Sequence, residues 1–158
     1  MSIESKKFRK FKVCDLFTVK GSKTTTPDEI NQENELQYNY ITTQNQNNGV
    51  ACKSDIFTEL GNCITIDSAT VGAVFYQESN FIASDHIEVI RNEKLNKYNG
   101  LFIVSLLQKE QYRYCYGRKW NQNKIKNTFL YLPIDQYNQP DLEYMEKYIK
   151  SLPYSKYI

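Results

Sequence analysis

The sequence predicts a single domain of α+β class. Three observations carry that prediction. Short apolar runs bounded by polar turns recur through the first two-thirds of the chain, as in "NCITIDSATVGAVFYQ" at 62–77, which is the signature of short strands. The stretch "LFIVSLLQKEQYRY" at 101–114 is too long and too continuously apolar for a strand and reads as a buried helix. The end of the chain, 139–158, carries helix-capping residues and a narrow apolar seam. With 158 residues the chain is long enough to bury a core of its own. The expected division is a main domain at 1–138 and a terminal helical segment at 139–158.

Taken in order, "FTVKG" at 17–21 ends as a strand meeting Gly21. The polar loop "GSKTTTPDEINQENE" at 21–35 follows, with Pro27 and a local cluster of acids. "LQYNYITTQNQNNGVA" at 36–51 reads as a short strand running into an amide-rich turn that closes at Gly49. The 62–77 run makes two strands, with Ile64 and Ile66 on one face and Ser68–Gly72 as their turn. "HIEVIR" at 86–91 is a further strand with Ile87, Val89 and Arg91 facing alike. The buried helix starts near Lys97 and is expected to be closed by Gly117 from the position after its C-cap. "NQNKIKN" at 121–127 reads as a short second helix leading into the strand "TFLYLP" at 128–133. In "NQPDLEYMEKYIKSLP", at 138–153, Pro140 suits the first turn of a helix. Asp141 and Glu143 suit its positive end and Lys150 its negative end. Leu142, Met145, Ile149 and Leu152 repeat along one stripe, and Pro153 stops the helix.

Charge is concentrated although the formal net charge is only +2. Lys6 to Lys23 holds seven Lys/Arg against Asp15 alone, and Lys109 to Thr128 holds six against Glu110 alone. Folded into one face, two such segments would attract phosphates and release their counterions. Residue types sharpen the reading. Phosphate contacts position a protein, whereas side chains that reach base edges specify sequence. Arginine matches guanine edges, and asparagine or glutamine matches adenine edges. On this reasoning the candidate nucleic-acid contacts are Lys20, Lys23, Thr43, Gln44, Asn45, Asn47, Asn48, Arg113, Tyr116, Arg118, Lys119, Gln122 and Lys124. Trp120, the only tryptophan, joins them as a residue able to stack, wedge or pack beneath a loop. The apolar stripe Leu142, Met145, Ile149 and Leu152 is the candidate partner or dimer interface, with packing on the chain's own core as the other outcome.

Catalytic chemistry finds little support. The cysteines Cys14, Cys52, Cys63 and Cys115 have no metal-knuckle spacing, and the only histidine is His86, so no metal site is expected and buried reduced thiols are the ordinary reading. Glu4-Ser5-Lys6 lacks the upstream acid of a metal-dependent nuclease, and "GSKTTT" lacks the glycine spacing of a phosphate loop. No cofactor is expected. No apolar run approaches the roughly 20 residues that span a bilayer. The basic N-terminus is no secretory signal, so a cytoplasmic location is the expectation.

The pieces "FKVCDLFTVKGSK", "YITTQNQNNGVA", "GNCITIDSATVGAVFYQESNFIASDHIEVI", "LFIVSLLQKEQYRYCYGRKWNQNKIKN" and "LYLPIDQYNQPDLEYMEKYIKSLP" follow one another in an order and spacing that resembles a known family. That family is the target recognition domain of restriction–modification specificity subunits, which covers type I S subunits and the S-like parts of type IIB and IIG enzymes. The resemblance runs from about Phe11 onward. It implies a domain that grips double-stranded DNA, reads part of a site and performs no chemistry. It also implies partners that do the chemistry: an adenine DNA methylase subunit and, in some systems, a nuclease. Family S subunits usually carry two recognition domains separated by long helices. One recognition domain and a terminal helix of about three turns leave three arrangements open: a half-subunit that forms a homodimer or pairs with a second half, a small partner of a fused nuclease–methylase, or a stand-alone copy. A competing reading of another class is a protein-interaction module that binds or mimics part of such a complex with little DNA affinity.

Overall fold

A computed structural model describes residues 5–30 and 35–158. Part of the expected acidic loop (31–34) and the first residue of the Glu4-Ser5-Lys6 pattern lie outside the described residues. In chain order the elements are β1 (Phe8–Lys12), α1 (Val13–Leu16), β2 (Thr18–Gly21), β3 (Tyr38–Ile41), β4 (Val50–Ser54), β5 (Cys63–Asp67), β6 (Val74–Gln77), β7 (Phe81–Ala83) and β8 (Ile87–Arg91). Then come α2 (Lys97–Gln108), α3 (Gln122–Lys126), β9 (Phe129–Pro133) and α4 (Leu142–Ser151). The strands form a four-stranded antiparallel sheet in the order β2-β8-β5-β6, a three-stranded sheet β4-β3-β7, and a two-stranded ribbon β1-β9. Within the three-stranded sheet β3 runs antiparallel to β4 and parallel to β7.

The four-stranded sheet is covered on both faces, which explains why β5 is buried along its whole length. One face carries Val19, Ile64, Ile66, Val74, Tyr76 and Ile90, packed under Phe102, Ile103, Val104 and Leu107 of α2 and Met145 and Ile149 of α4. The ribbon contributes Leu130 and Leu132 to the same core. The other face carries Cys63, Ile87 and Val89 against Ile41, Phe81 and Ala83 of the smaller sheet. Ile64 and Ile66 therefore share a face, and Ile87 and Val89 share the opposite one, as alternation along a strand requires. Each fully buried aliphatic side chain contributes about 1.5–3 kcal/mol.

Helix α2 begins where Asn96 caps it. The Asn96 side-chain oxygen Oδ1 accepts from the backbone amides of Tyr98 and Asn99, and the Asn99 Oδ1 accepts from the Asn96 backbone amide. Gly100 lets this helix lie directly on β6, because a Cβ there would stand 2.7 Å from Cδ2 of Tyr76. The helix stops at Gln108, before the expected Gly117 closure. Lys109 serves as C-cap, a 3-10 turn follows at Gln111–Arg113, and Gly117 sits in a tight turn where Cys115 and Arg118 exchange backbone hydrogen bonds. The stretch is thus longer than its helix: Tyr112 stands exposed and Tyr114 stacks on Trp120.

Helix α4 is capped by Asp141, whose carboxylate accepts from the Tyr144 amide at 2.9 Å and from the Lys6 ammonium. Pro140 stands just ahead of that cap. Burial alone would raise the pKa of Asp141, but the Lys6 and Tyr144 bonds outweigh it and hold the carboxyl below its ordinary value. The sign follows from linkage. A lowered folded-state pKa stabilises the fold above the ordinary carboxylate range, and that contribution is lost as pH falls through the folded value. The stability gap between the wild-type chain and Asp141→Asn should therefore shrink between about pH 6 and about pH 2, as measured by urea titration. A gap independent of pH would show that the pair contributes nothing.

Three of the four cysteines depart from expectation: Cys14, Cys52 and Cys115 are exposed and only Cys63 is buried. Burial pushes the Cys63 thiol up to about 12. No helix among the described residues is long and apolar enough to cross a membrane.

Candidate nucleic-acid interface

At one end of the two sheets, the turn between β5 and β6 is built on Asp67. This carboxylate is 2% exposed and accepts from the backbone amides of Ala69, Thr70, Val71 and Gly72 at 2.8–3.3 Å, and from the Thr70 hydroxyl. Thr70 also reaches the carbonyl of Thr43 at 3.3 Å, which ties this turn to the one after β3. Gly72 adopts φ +71°, and a Cβ there would lie 2.9 Å from Cε3 of Trp120. The indole is therefore the floor beneath the turn.

Trp120 is 1% exposed, stacks on Tyr114 with centroids 4.7 Å apart and planes 7° from parallel, and donates from Nε1 to the Thr128 hydroxyl at 3.1 Å. This corrects its assignment as a direct contact. An indole with both faces packed and its only donor used cannot stack on a base. It instead holds the segment 114–128 together.

The amide-rich turn is likewise mostly self-satisfied. Gln44 donates to the carbonyls of Val50 and Gln46, Asn47 donates to Val50, and Asn48 donates to Tyr76 O and Gln77 Oε1. Asn47, Asn48 and Gly49 have φ of 47°, 54° and 78°, a left-handed run that asparagine and glycine tolerate best. The donors of Gln44, Asn47 and Asn48 thus serve the loop, a correction to their expected role at base edges. Gln122 is similarly engaged, donating to Glu88 at 2.9 Å and accepting from Lys126. Asn45 remains exposed and accepts from Gln111 at 3.1 Å.

Lys20 turns to the sheet face opposite Gln122, against the expectation of one face joining it to the 115–124 segment. Lys20 pairs with Val89, whereas its neighbour Gly21 pairs with Glu88, the partner of Gln122. Paired residues share a sheet face and successive ones alternate, so Lys20 and Gln122 lie on opposite faces. Lys23 donates its backbone amide to Glu59, which also pairs with Arg91.

The two basic segments do meet, but through other residues. Lys10 and Lys12 on β1 stand over the Phe129 ring at 4.1 and 5.7 Å, and Lys12 donates to Asn127. Beside them an open groove of about 370 Å³ is lined by Lys10, Glu110, Arg113, Lys124 and Tyr131 among others. Arg113 is bonded to the Tyr112 hydroxyl and to Glu110, and both raise its pKa further. Lys124 donates to the Lys119 carbonyl at 2.9 Å. Arg118, Lys119 and Tyr116 are exposed at the adjoining turn, with Lys119 5.6 Å from the Tyr116 ring centroid. The β1–β9 pairing that creates this surface joins residues 8–12 to residues 129–133, and no local signal in the sequence announces it.

The terminal seam also turns inward. Met145 and Ile149 are 0% and 7% exposed and belong to the main core, Leu142 packs against that core, and only Leu152 is appreciably open. The expectation of a partner interface there is corrected, because the stripe is already covered by α2. Among the described residues no group of three or more His, Cys, Asp or Glu is placed to hold a metal ion. His86 is exposed beside Asp85, at φ 61°.

The profile of the type I restriction modification DNA specificity domain matches residues 5–155. The chain belongs to that family. A curated relative, the specificity subunit S.BcgI of the type II restriction enzyme BgcI from Heyndrickxia coagulans, is 24% identical over 153 residues, covering 94% of this chain and 44% of the relative. Among solved structures, the S subunit of a type I restriction-modification system from M. genitalium superposes with a TM-score of 0.65 at 14% identity, covering 87% of this chain and 37% of that one. The HsdS subunit from Thermoanaerobacter tengcongensis does so with 0.60 at 9% identity, covering 95% and 39%. These likenesses establish the α+β recognition-domain fold. The chain spans less than half the length of each of these proteins. As a specificity-domain family member it matches the resemblance read from its sequence blocks.

Proposed function

We propose that this specificity domain reads part of a double-stranded DNA site and presents that site to an adenine methylase subunit, with a nuclease in assemblies that cleave, while performing no bond chemistry itself. The observation that supports this reading is the exposed turn 115–119, where Arg118 and Lys119 have no carboxylate partner among the described residues and Lys124 is tied to the turn through the Lys119 carbonyl. Arg118 supplies the donor fork that suits a guanine edge, and Lys119 and Lys124 supply phosphate contacts. Pairing with a second recognition domain, in a homodimer or with another half-subunit, would complete a two-part site. Work on chromosomal DNA would place the protein in the cytoplasm.

The test is duplex binding across salt concentrations. The wild-type chain should bind with an affinity that falls steeply with salt. Arg118→Ala with Lys119→Ala should lower the salt slope by about 1, for the phosphate contact of Lys119, and relax sequence preference at the base read by Arg118. Absence of duplex binding at low salt, with and without a cognate methylase, would end this reading. The competing interaction-module reading relied on the α4 stripe, and the burial of Met145 and Ile149 leaves it without that surface.

A further inference from the structure

The outward face of the β1–β9 ribbon is an unusual surface for a strand pair at the edge of a domain. Residues opposite one another in an antiparallel pair share a face, so the register Lys10↔Tyr131 and Lys12↔Phe129 puts two lysines and two aromatic rings on one side. Leu130 and Leu132 point the other way, into the core. Tyr131 is 62% exposed and Phe129 42%. Neither Lys10 nor Lys12 has a carboxylate partner among the described residues, whereas Lys6, Arg91, Lys97, Arg113, Lys147 and Lys150 are each paired with one. The Phe129 ring lies under both lysine ammonium groups, which limits side-chain freedom without neutralising the charge. The face then runs without a break into the groove with Arg113 and Lys124, where Glu110 is the one acid in the lining.

We propose that this ribbon face and its groove are a second DNA-contact surface, which holds the phosphate backbone of the duplex beside the segment read by the turn 115–119. This rests on the reading of the domain as a duplex-DNA binder and adds a surface to it. Charge complementarity selects the occupant: three lysines without carboxylate partners among the described residues, Lys10, Lys12 and Lys124, with flanking aromatics, fit a polyanion and disfavour an apolar protein partner. Contacts of this kind position the protein and carry no sequence information. The ribbon would set register and affinity while the turns supply discrimination.

The experiment uses the whole chain and a fluorescein-labelled pool of random duplexes together with the best binder selected from it, titrated at several salt concentrations. Lys10→Ala with Lys12→Ala should weaken binding to every duplex by the same factor and lower the slope of log affinity against log salt by about 2. Lys10→Gln with Lys12→Gln, which retains the side-chain stems over Phe129, should do the same and guards against a folding defect. Lys53→Ala with Lys94→Ala, on other elements, should change neither by more than the general loss of charge. Unchanged affinity and slope in both ribbon variants, with the wild-type chain binding normally, would overturn the inference and leave the reading of the domain intact. A ribbon variant that changes sequence preference would also overturn it, since phosphate contacts cannot do so. If the wild-type chain binds no duplex, both the inference and the reading beneath it fall.

Discussion

Replacing Trp120 with alanine should destabilise the domain by about 3–5 kcal/mol, the usual cost of emptying a large aromatic site in a core. The indole is 1% exposed, supports the turn at Gly72, stacks on Tyr114 and satisfies the Thr128 hydroxyl. Removing it leaves a cavity in the segment 114–128 that carries the turn proposed to read DNA, so DNA affinity should fall together with stability. Trp120→Phe should cost less, because a ring can still stack on Tyr114 while the hydrogen bond to Thr128, worth about 0.5–1.5 kcal/mol, is lost. Urea denaturation followed by circular dichroism measures both. Normal stability of Trp120→Ala combined with lost DNA binding would return the indole to the role of a direct contact.

Met145→Lys should be at least as damaging. Met145 is fully buried between α4 and α2 in the main core. The substitution removes core packing worth about 2–5 kcal/mol and introduces a charge whose burial costs several kcal/mol more. Against a total stability of about 5–15 kcal/mol for an ordinary domain, the variant should be largely unfolded at room temperature. Ile149→Asp should behave alike. A well-folded monomeric Met145→Lys chain that fails only to assemble with a partner would reverse the assignment of this stripe to the core.

Much of the local structure was legible beforehand. The strand pair at 62–77, the face shared by Ile64 and Ile66, the strand at 87–91, the short helix at 122–126 and the capped terminal helix all formed where their patterns indicated. β1, β4 and β7 were not anticipated. β7 is only Phe81–Ala83, too short to show alternation, and β1 is rich in the cationic residues Arg9, Lys10 and Lys12 that usually mark a solvated segment. Among the site residues, Tyr116, Arg118 and Lys119 stand exposed on the 115–119 turn. Gln44, Asn47 and Asn48 show why the amides misled: the same side chain that matches an adenine edge also satisfies a turn backbone and tolerates left-handed dihedrals, and composition does not separate the two uses.

The sequence by itself determined the class of fold, the family and the existence of two basic segments, because strand alternation, caps and charge runs depend on residues close together along the chain. Only the tertiary structure decided which of those residues share a surface. Lys10 meets Tyr131 and Lys20 turns away from Gln122 because strand pairing, across long stretches of sequence, sets the register that assigns each side chain to a face. Trp120 and Met145 lie inside because other elements close over them. An apolar or aromatic side chain has the same affinity for a core as for a partner, and what occupies the space opposite it settles the choice.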